Sequence, residues 1–158
     1  MKNYLHISIL CFVALGCVIG CGPKNPLGVV KVTGKVMMDG QPVTGARVSF
    51  VPKNETDGQL ASATTNSQGV YSLTTAGAGD VTGAIPGNYN ITISKNETVT
   101  EPTPYDDLPL DERPSVVSYA LPKIIKHLPA KYESPTNSGL TATVAKGGKN
   151  VFDFDLEK

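Results

Sequence analysis

A chain of 158 residues with a formal net charge of zero and only 18% charged residues has room for one domain, and its charge balance excludes both a basic nucleic-acid surface and an acidic solvating tail. With 16 glycines, 12 prolines and 6% aromatic residues, it is rich in turns, which points to many short strands rather than long helices. Cys11, Cys17 and Cys21 all lie near the N-terminus, so the rest of the chain must be held by its core without disulfides.

Residues 1–20 read as a signal peptide. Lys2 supplies a positive start, and residues 5–19 are almost wholly apolar. A stretch of about 15 residues is short for a membrane span, which needs roughly 20, and Gly22-Pro23 ends any helix. Val18-Ile19-Gly20-Cys21 resembles the bacterial lipobox, in which a branched apolar residue and a small residue precede the cysteine. The resemblance implies cleavage before Cys21 and a diacylglycerol joined to its sulfur by a thioether. Each buried methylene contributes about 0.8 kcal/mol, so two or three acyl chains would hold the protein to a bilayer that its polypeptide never spans. Ala14-Leu15-Gly16-Cys17 is a second, poorer match, and an ordinary secretory signal or an uncleaved anchor are the alternatives. Gly22, rather than Asp, follows Cys21, which by analogy with enteric lipoproteins implies the outer membrane. Residues 21–28 then form a lipidated Pro/Gly tether.

From Val29 onward, apolar residues recur at every second position, the period of a half-buried strand. Val30, Val32, Val36 and Met38 share one face, with Gly34 between them. Asp39-Gly40 predicts a type I′ hairpin turn, whose two central residues need positive φ. Ala46, Val48 and Phe50 then point inward, with Arg47 and Ser49 outward. A weaker strand covers residues 60–65, Asn66-Ser67-Gln68-Gly69 turns the chain, and Tyr71 and Leu73 follow in alternation. Pro86-Gly87 introduces Tyr89, Ile91 and Ile93 on the inner face. Leu140, Ala142 and Val144 form the next inward set. Gly147-Gly148 leads into a last strand in which Phe152, Phe154 and Leu156 oppose Asp153, Asp155 and Glu157. The pattern predicts an all-β protein: a single sandwich of about seven strands with Greek-key-like connections over residues 29–158.

Residues 96–128 break the alternation. They contain Pro102, Pro104, Pro109, Pro114 and Pro122, with acidic pairs at Asp106-Asp107 and Asp111-Glu112. An insertion longer than an ordinary hairpin loop is either disordered or functional. Within it, residues 115–121 or 124–128 could form a short strand or a helical turn.

Three stretches carry a family resemblance: Gly34 to Phe50 with Asp39-Gly40, Pro42 and Gly45-Ala46; Thr65-Asn66-Ser67-Gln68-Gly69-Val70-Tyr71; and Pro86-Gly87-Asn88-Tyr89. In this order they resemble the carboxypeptidase regulatory-like domain, a transthyretin-like (prealbumin-like) sandwich, and residues 148–156 suit that family's last strand. Asn66 stands where Asp is commoner, but it can close the same turn. The insertion departs from the pattern. The resemblance implies a fold and not an activity.

Little catalytic chemistry is visible. After cleavage His127 is the single histidine, and a lone histidine is more often a surface residue than a metal ligand. No serine sits in Gly-x-Ser-x-Gly. The chain ends Asp155-Leu156-Glu157-Lys158 and lacks the histidines and C-terminal Tyr-Arg-Gly-Ser of transthyretin-related hydroxyisourate hydrolases. Asp153, Asp155 and Glu157 are expected to form a solvated face that discourages edge pairing rather than a Ca²⁺ site. Asn54, Asn90 and Asn96 begin Asn-x-Thr triplets, which in a bacterial protein are expected to be chance matches. Tyr105, Tyr119 and Tyr132 fall outside the inward alternation. They either offer stacking faces to a sugar or pack the insertion onto the sandwich. The expectation is therefore a non-enzymatic envelope lipoprotein without metal or cofactor, partnered by a membrane through its lipid and by an envelope protein or glycan. A carbohydrate- or cell-wall-binding module is the alternative.

Overall fold

A computed structural model describes residues 25, 27–79, 81–100, 108–109, 111–112 and 121–158. The signal peptide, Cys17 and Cys21, and the tyrosines Tyr105 and Tyr119 lie outside the described residues. Strand β1 (Val32–Met38) buries Val32, Gly34 and Val36 on one face. Asp39 and Gly40 take φ of 51° and 75°, the positive values required of the Asp-Gly turn. The return strand β2 (Gln41–Pro42) is cut short, because Pro42 has no N–H with which to extend the ladder. The chain then crosses to a second sheet as β3 (Arg47–Pro52) and turns back as β4 (Ala61–Thr64), with Arg47 opposite Thr64.

Asn66 closes the following turn with its side chain. Its Oδ1 accepts from the N–H groups of Gln68 and Val70, both at 2.9 Å. Beyond the turn, β5 (Val70–Ser72) pairs with β1, whereas β6 (Thr74–Thr75) pairs with β4; Leu73 alone carries the chain from one sheet to the other. The longest strand, β7 (Gly87–Ser94), lies antiparallel to β3. After Lys95, β8 (Asn96–Val99) pairs with β9 (Lys123–Lys126). A 3₁₀ turn, Ala130–Glu133, returns the chain to β10 (Thr141–Val144), which pairs with β7. Finally β11 (Asn150–Val151) and β12 (Phe154–Leu156) run parallel to β1.

The result is an all-β sandwich. In one sheet β1 lies between β2 and β5 on one edge and β11 and β12 on the other; the second sheet has the order β10-β7-β3-β4-β6. The seven stretches of alternating sequence all appear as strands, and two expectations are revised. The last strand is split, because at Asp153 a side chain replaces the backbone acceptor: the Lys35 N–H donates to Asp153 Oδ1 at 2.8 Å. The insertion of residues 96–128 is also partly regular. Its first four residues and residues 123–126 form the β8–β9 ribbon, so 124–128 contributes a strand.

The core is built around aromatic rings. Phe50 is fully buried and lies 5.7 Å from Tyr89, 5.8 Å from Phe152 and 6.4 Å from both Tyr71 and Phe154, centroid to centroid. Buried hydroxyls find partners: Tyr71 donates to the Phe152 carbonyl at 2.7 Å and Tyr89 to the Ile85 carbonyl at 2.6 Å. Buried Thr65 links the two sheets, donating to the Val43 carbonyl at 2.6 Å and accepting from the Ala46 N–H at 2.8 Å. Thr65→Val keeps the shape but orphans both backbone groups, so it is expected to lower the unfolding free energy by about 2 kcal/mol. Urea denaturation checks this; an unchanged midpoint would contradict the assigned role.

The same phenols predict an alkaline limit. Burial, then the nearby charge of Asp153, raises the Tyr71 pKa above its ordinary 10.0. Burial, then Asp57, raises that of Tyr89. The native state therefore holds these protons when the unfolded chain has begun to lose them. Their contribution is intact below a pH of about 10 and is lost as the pH climbs beyond it, by up to about 1.4 kcal/mol per pH unit for each such group. Denaturation midpoints should fall above that pH, and these two rings should ionise at a higher pH in the folded protein than in the unfolded chain. Ionisation of every tyrosine of the folded protein at the pH of the unfolded chain would refute this.

Candidate functional site

The pairing registers place the features of the chain at two opposite poles. At one pole the N-terminal segment joins the sandwich. Asn25 clamps it there, its side chain bonding both the N–H and the carbonyl of Val29 at 2.9 Å. Val30 and Ala84 then exchange backbone hydrogen bonds at 2.9 and 3.0 Å. The beginning of β7, the end of β3 and the turn between β10 and β11 lie at this same pole, since Pro52 is opposite Tyr89, Val144 opposite Gly87 and Val32 beside Asn150. That last turn is stiffened by Asn150, whose amide bonds the N–H and carbonyl of Ala145 at 2.9 and 3.0 Å.

At the other pole, where Arg47 is opposite Ser94, the β8–β9 ribbon leaves the sandwich. Its register sets Thr98 opposite Ile124 and Glu97 opposite Ile125. All of Lys123–Lys126 is exposed, as are Asn96, Glu97 and Thr98. Ile124 is 60% exposed and Leu121, just before the strand, 93%. The described residues show their densest group of exposed large apolar side chains here, flanked by Lys123 and Lys126. Lysines of this kind guard an open strand edge against indiscriminate pairing.

The base of the ribbon is fixed. The His127 N–H donates to the Lys95 carbonyl at 2.9 Å, and its ring Nε2 lies 3.1 Å from Glu97 Oε2 across the two strands. Lys126 forms an ion pair with Glu133 on the 3₁₀ turn. Leu128 and Tyr132 insert into the core behind it. This corrects Tyr132 as a candidate stacking face. The ring is 6% exposed, and its hydroxyl accepts from the Glu157 N–H at 3.0 Å. It packs the returning chain onto the sandwich, the second of the two placements open to it. Tyr105 and Tyr119 belong to the segment that the ribbon carries and lie outside the described residues, as does Cys21.

The remaining candidates are scattered. His127 is occupied with Glu97. Asp153 serves the β1 ladder, while Asp155 and Glu157 are exposed. Among the described residues no group of three or more His, Cys, Asp or Glu side chains is placed to hold a metal ion. An open depression of about 640 Å³ lies along Pro52–Thr56 and Gly58, lined by Lys53 and Glu55 without a convergent set of reactive groups.

The sequence offers residues 124–128 as a short strand, which β9 bears out, but gives no sign of its partner, because Asn96–Val99 has no apolar alternation. Among the described residues no helix is long and apolar enough to cross a membrane.

No protein-family model matches the chain, and no curated protein matches it significantly. Among solved structures, a 9R-lipoxygenase from Cyanothece PCC8801 is similar at 12% identity and a TM-score of 0.37, over 83% of this chain and 16% of that one. The chain thus spans a small fraction of that protein's length, and a likeness this distant carries no functional argument.

Proposed function

We propose that this protein is a lipoprotein of the bacterial cell envelope, anchored through acylated Cys21, whose sandwich is a non-enzymatic interaction module. The observation that carries this reading is the opposite placement of tether and ribbon. A strand rises about 3.3 Å per residue, so β7 and β8 span at most roughly 40 Å between the pole where the tether joins and the far end of the described ribbon. A chain anchored at Cys21 would hold the ribbon, with Leu121, Ile124 and Ile125, out from the outer membrane toward a protein partner. Exposed apolar side chains on a rigidly based two-stranded element fit partner binding better than catalysis, because loops and edges carried by a scaffold are where recognition concentrates. The three motif stretches support a carboxypeptidase regulatory-like, transthyretin-type assignment for the sandwich.

The glycan reading loses one of its three aromatic faces with Tyr132 and rests on Tyr105 and Tyr119. A photoreactive residue at position 124 tests the proposal in intact cells, with position 141 on the outer face of β10 as control. A discrete protein adduct at 124 and none at 141 is expected, and the adduct should disappear in an Ile125→Asp background. Adducts at both positions, or at neither, would overturn it.

A further inference from the structure

The tether pole carries lysines that nothing in the fold requires. Val32 pairs with Asn150 in parallel register, so the preceding positions, Lys31 and Lys149, are neighbours although far apart in sequence. Lys146 lies in the same turn, whose ends Asn150 holds together. Lys53 joins from the other sheet: its N–H donates to the Asn88 carbonyl at 2.9 Å, and on the far side of β7 Asn88 pairs with Thr143, near the start of the same turn. All four lysines are exposed. Among the described residues none of them has a carboxylate partner.

Like charges at neighbouring strand positions repel and weaken a sheet. Here Lys31 and Lys149 are set side by side with no acid between them. Among the described residues the acids at this pole, Glu55 and Asp57, lie on the turn after Lys53, and Asp57 is already accepting from the Asn54 amide at 2.8 Å. Leu60, 54% exposed, precedes β4 at the same pole and adds an apolar side chain beside the charges. A compact ammonium on a flexible stem is suited to a disordered anionic surface, where a point charge suffices and a fixed bidentate geometry has no counterpart.

We infer that this pole docks on the anionic headgroups of the membrane that holds the lipid, through Lys31, Lys149, Lys146 and Lys53. The inference rests on the reading of Cys21 as the anchor. With Asn25 hydrogen-bonded to Val29, the span from Cys21 to Asn25 reaches at most about 14 Å when fully extended. It therefore holds the lysines close enough to the surface to sample its Debye layer of about 8–10 Å repeatedly. Lipid anchors and basic clusters act together in this way, each lysine near an anionic surface adding to the attraction. Docking by this pole fixes the orientation of the whole sandwich, with the ribbon pointing away from the bilayer.

The test uses the full, processed protein in vesicles of phosphatidylethanolamine, with and without phosphatidylglycerol, and reads lysine acetylation by mass spectrometry. Flotation with the neutral vesicles reports the anchor independently of the docking face. With phosphatidylglycerol present, Lys31, Lys53, Lys146 and Lys149 should be acetylated at least about threefold more slowly, while Lys35, Lys123 and Lys158 are unchanged. Salt at about 0.5 M should abolish the protection. The Lys31→Gln/Lys149→Gln double variant, both positions being exposed and outside the core, should lose protection at Lys53 and Lys146 while keeping its circular dichroism. Flotation without selective protection, or protection that persists in neutral vesicles, overturns the docking face and leaves the anchor standing. Failure to float overturns both.

Discussion

Replacing Phe50 with alanine is expected to lower the unfolding free energy by about 3–5 kcal/mol, the range for deleting a buried aromatic ring. Phe50 comes from the second sheet and meets Tyr71, Phe152 and Phe154 of the first and Tyr89 of its own. Its removal would open a cavity at the one place where both sheets present large rings, and neighbours held by hydrogen bonds at Tyr71 and Tyr89 cannot collapse freely into it. Domains are typically stable by only about 5–15 kcal/mol, so the variant should be partly unfolded at moderate temperature. Urea denaturation followed by circular dichroism measures the loss, with Phe50→Leu expected to recover most of it. A loss below about 1.5 kcal/mol would mean that the rings do not form the centre of the core.

The second large effect is expected at Gly34. A Cβ there would lie 1.8 Å from the Phe152 carbonyl oxygen and 2.7 Å from the Tyr71 hydroxyl. Both are parts of the hydrogen bond that ties β5 to the crossover between β11 and β12. In an ordinary strand, alanine would be favoured over glycine by roughly 0.5–1 kcal/mol. Here the added methyl group must displace backbone, and the strand can absorb that only by breaking the Tyr71 bond. Gly34→Ala should therefore cost at least about 3 kcal/mol, the sum of overpacking and an orphaned buried hydroxyl. A double-mutant cycle with Tyr71→Phe isolates the cause. If both changes act through the Phe152 carbonyl, the double variant loses less than the sum of the single ones. Strict additivity would place the damage elsewhere. Gly40 provides the contrast: its φ is 75° but no atom lies within 4 Å of a built Cβ. Gly40→Ala should then cost only the left-handed strain of about 1–2 kcal/mol.

The alternation that exposes the strands to a reader of the sequence is a local property. Val48 and Phe50, or Tyr89, Ile91 and Ile93, announce their faces because successive side chains in a strand must point to opposite sides. The Asp39-Gly40 turn is legible for the same reason, since few residue pairs accept two positive φ values. What stayed hidden depends on chain segments meeting at a distance. Asp153 reads as one more outward charge until β1 is beside it and its carboxylate replaces a ladder acceptor. Tyr132 reads as a free aromatic until the 3₁₀ turn carries it beneath Glu157. The first strand of the ribbon left no trace, because Asn96, Glu97 and Thr98 are all exposed and burial imposes no pattern on Asn96–Val99. The adjacency of Lys31 and Lys149 exists only in the parallel register of the two ends of the chain.

Everything proposed for the function depends on the first residue of the mature protein carrying lipid. Mass spectrometry of the N-terminal peptide from the protein purified out of bacterial membranes tests that most directly. The expected result is a peptide that begins at Cys21 with a diacylglyceryl group on its sulfur. An unmodified cysteine, a start elsewhere in the chain, or an intact residue 1–20 segment would contradict it.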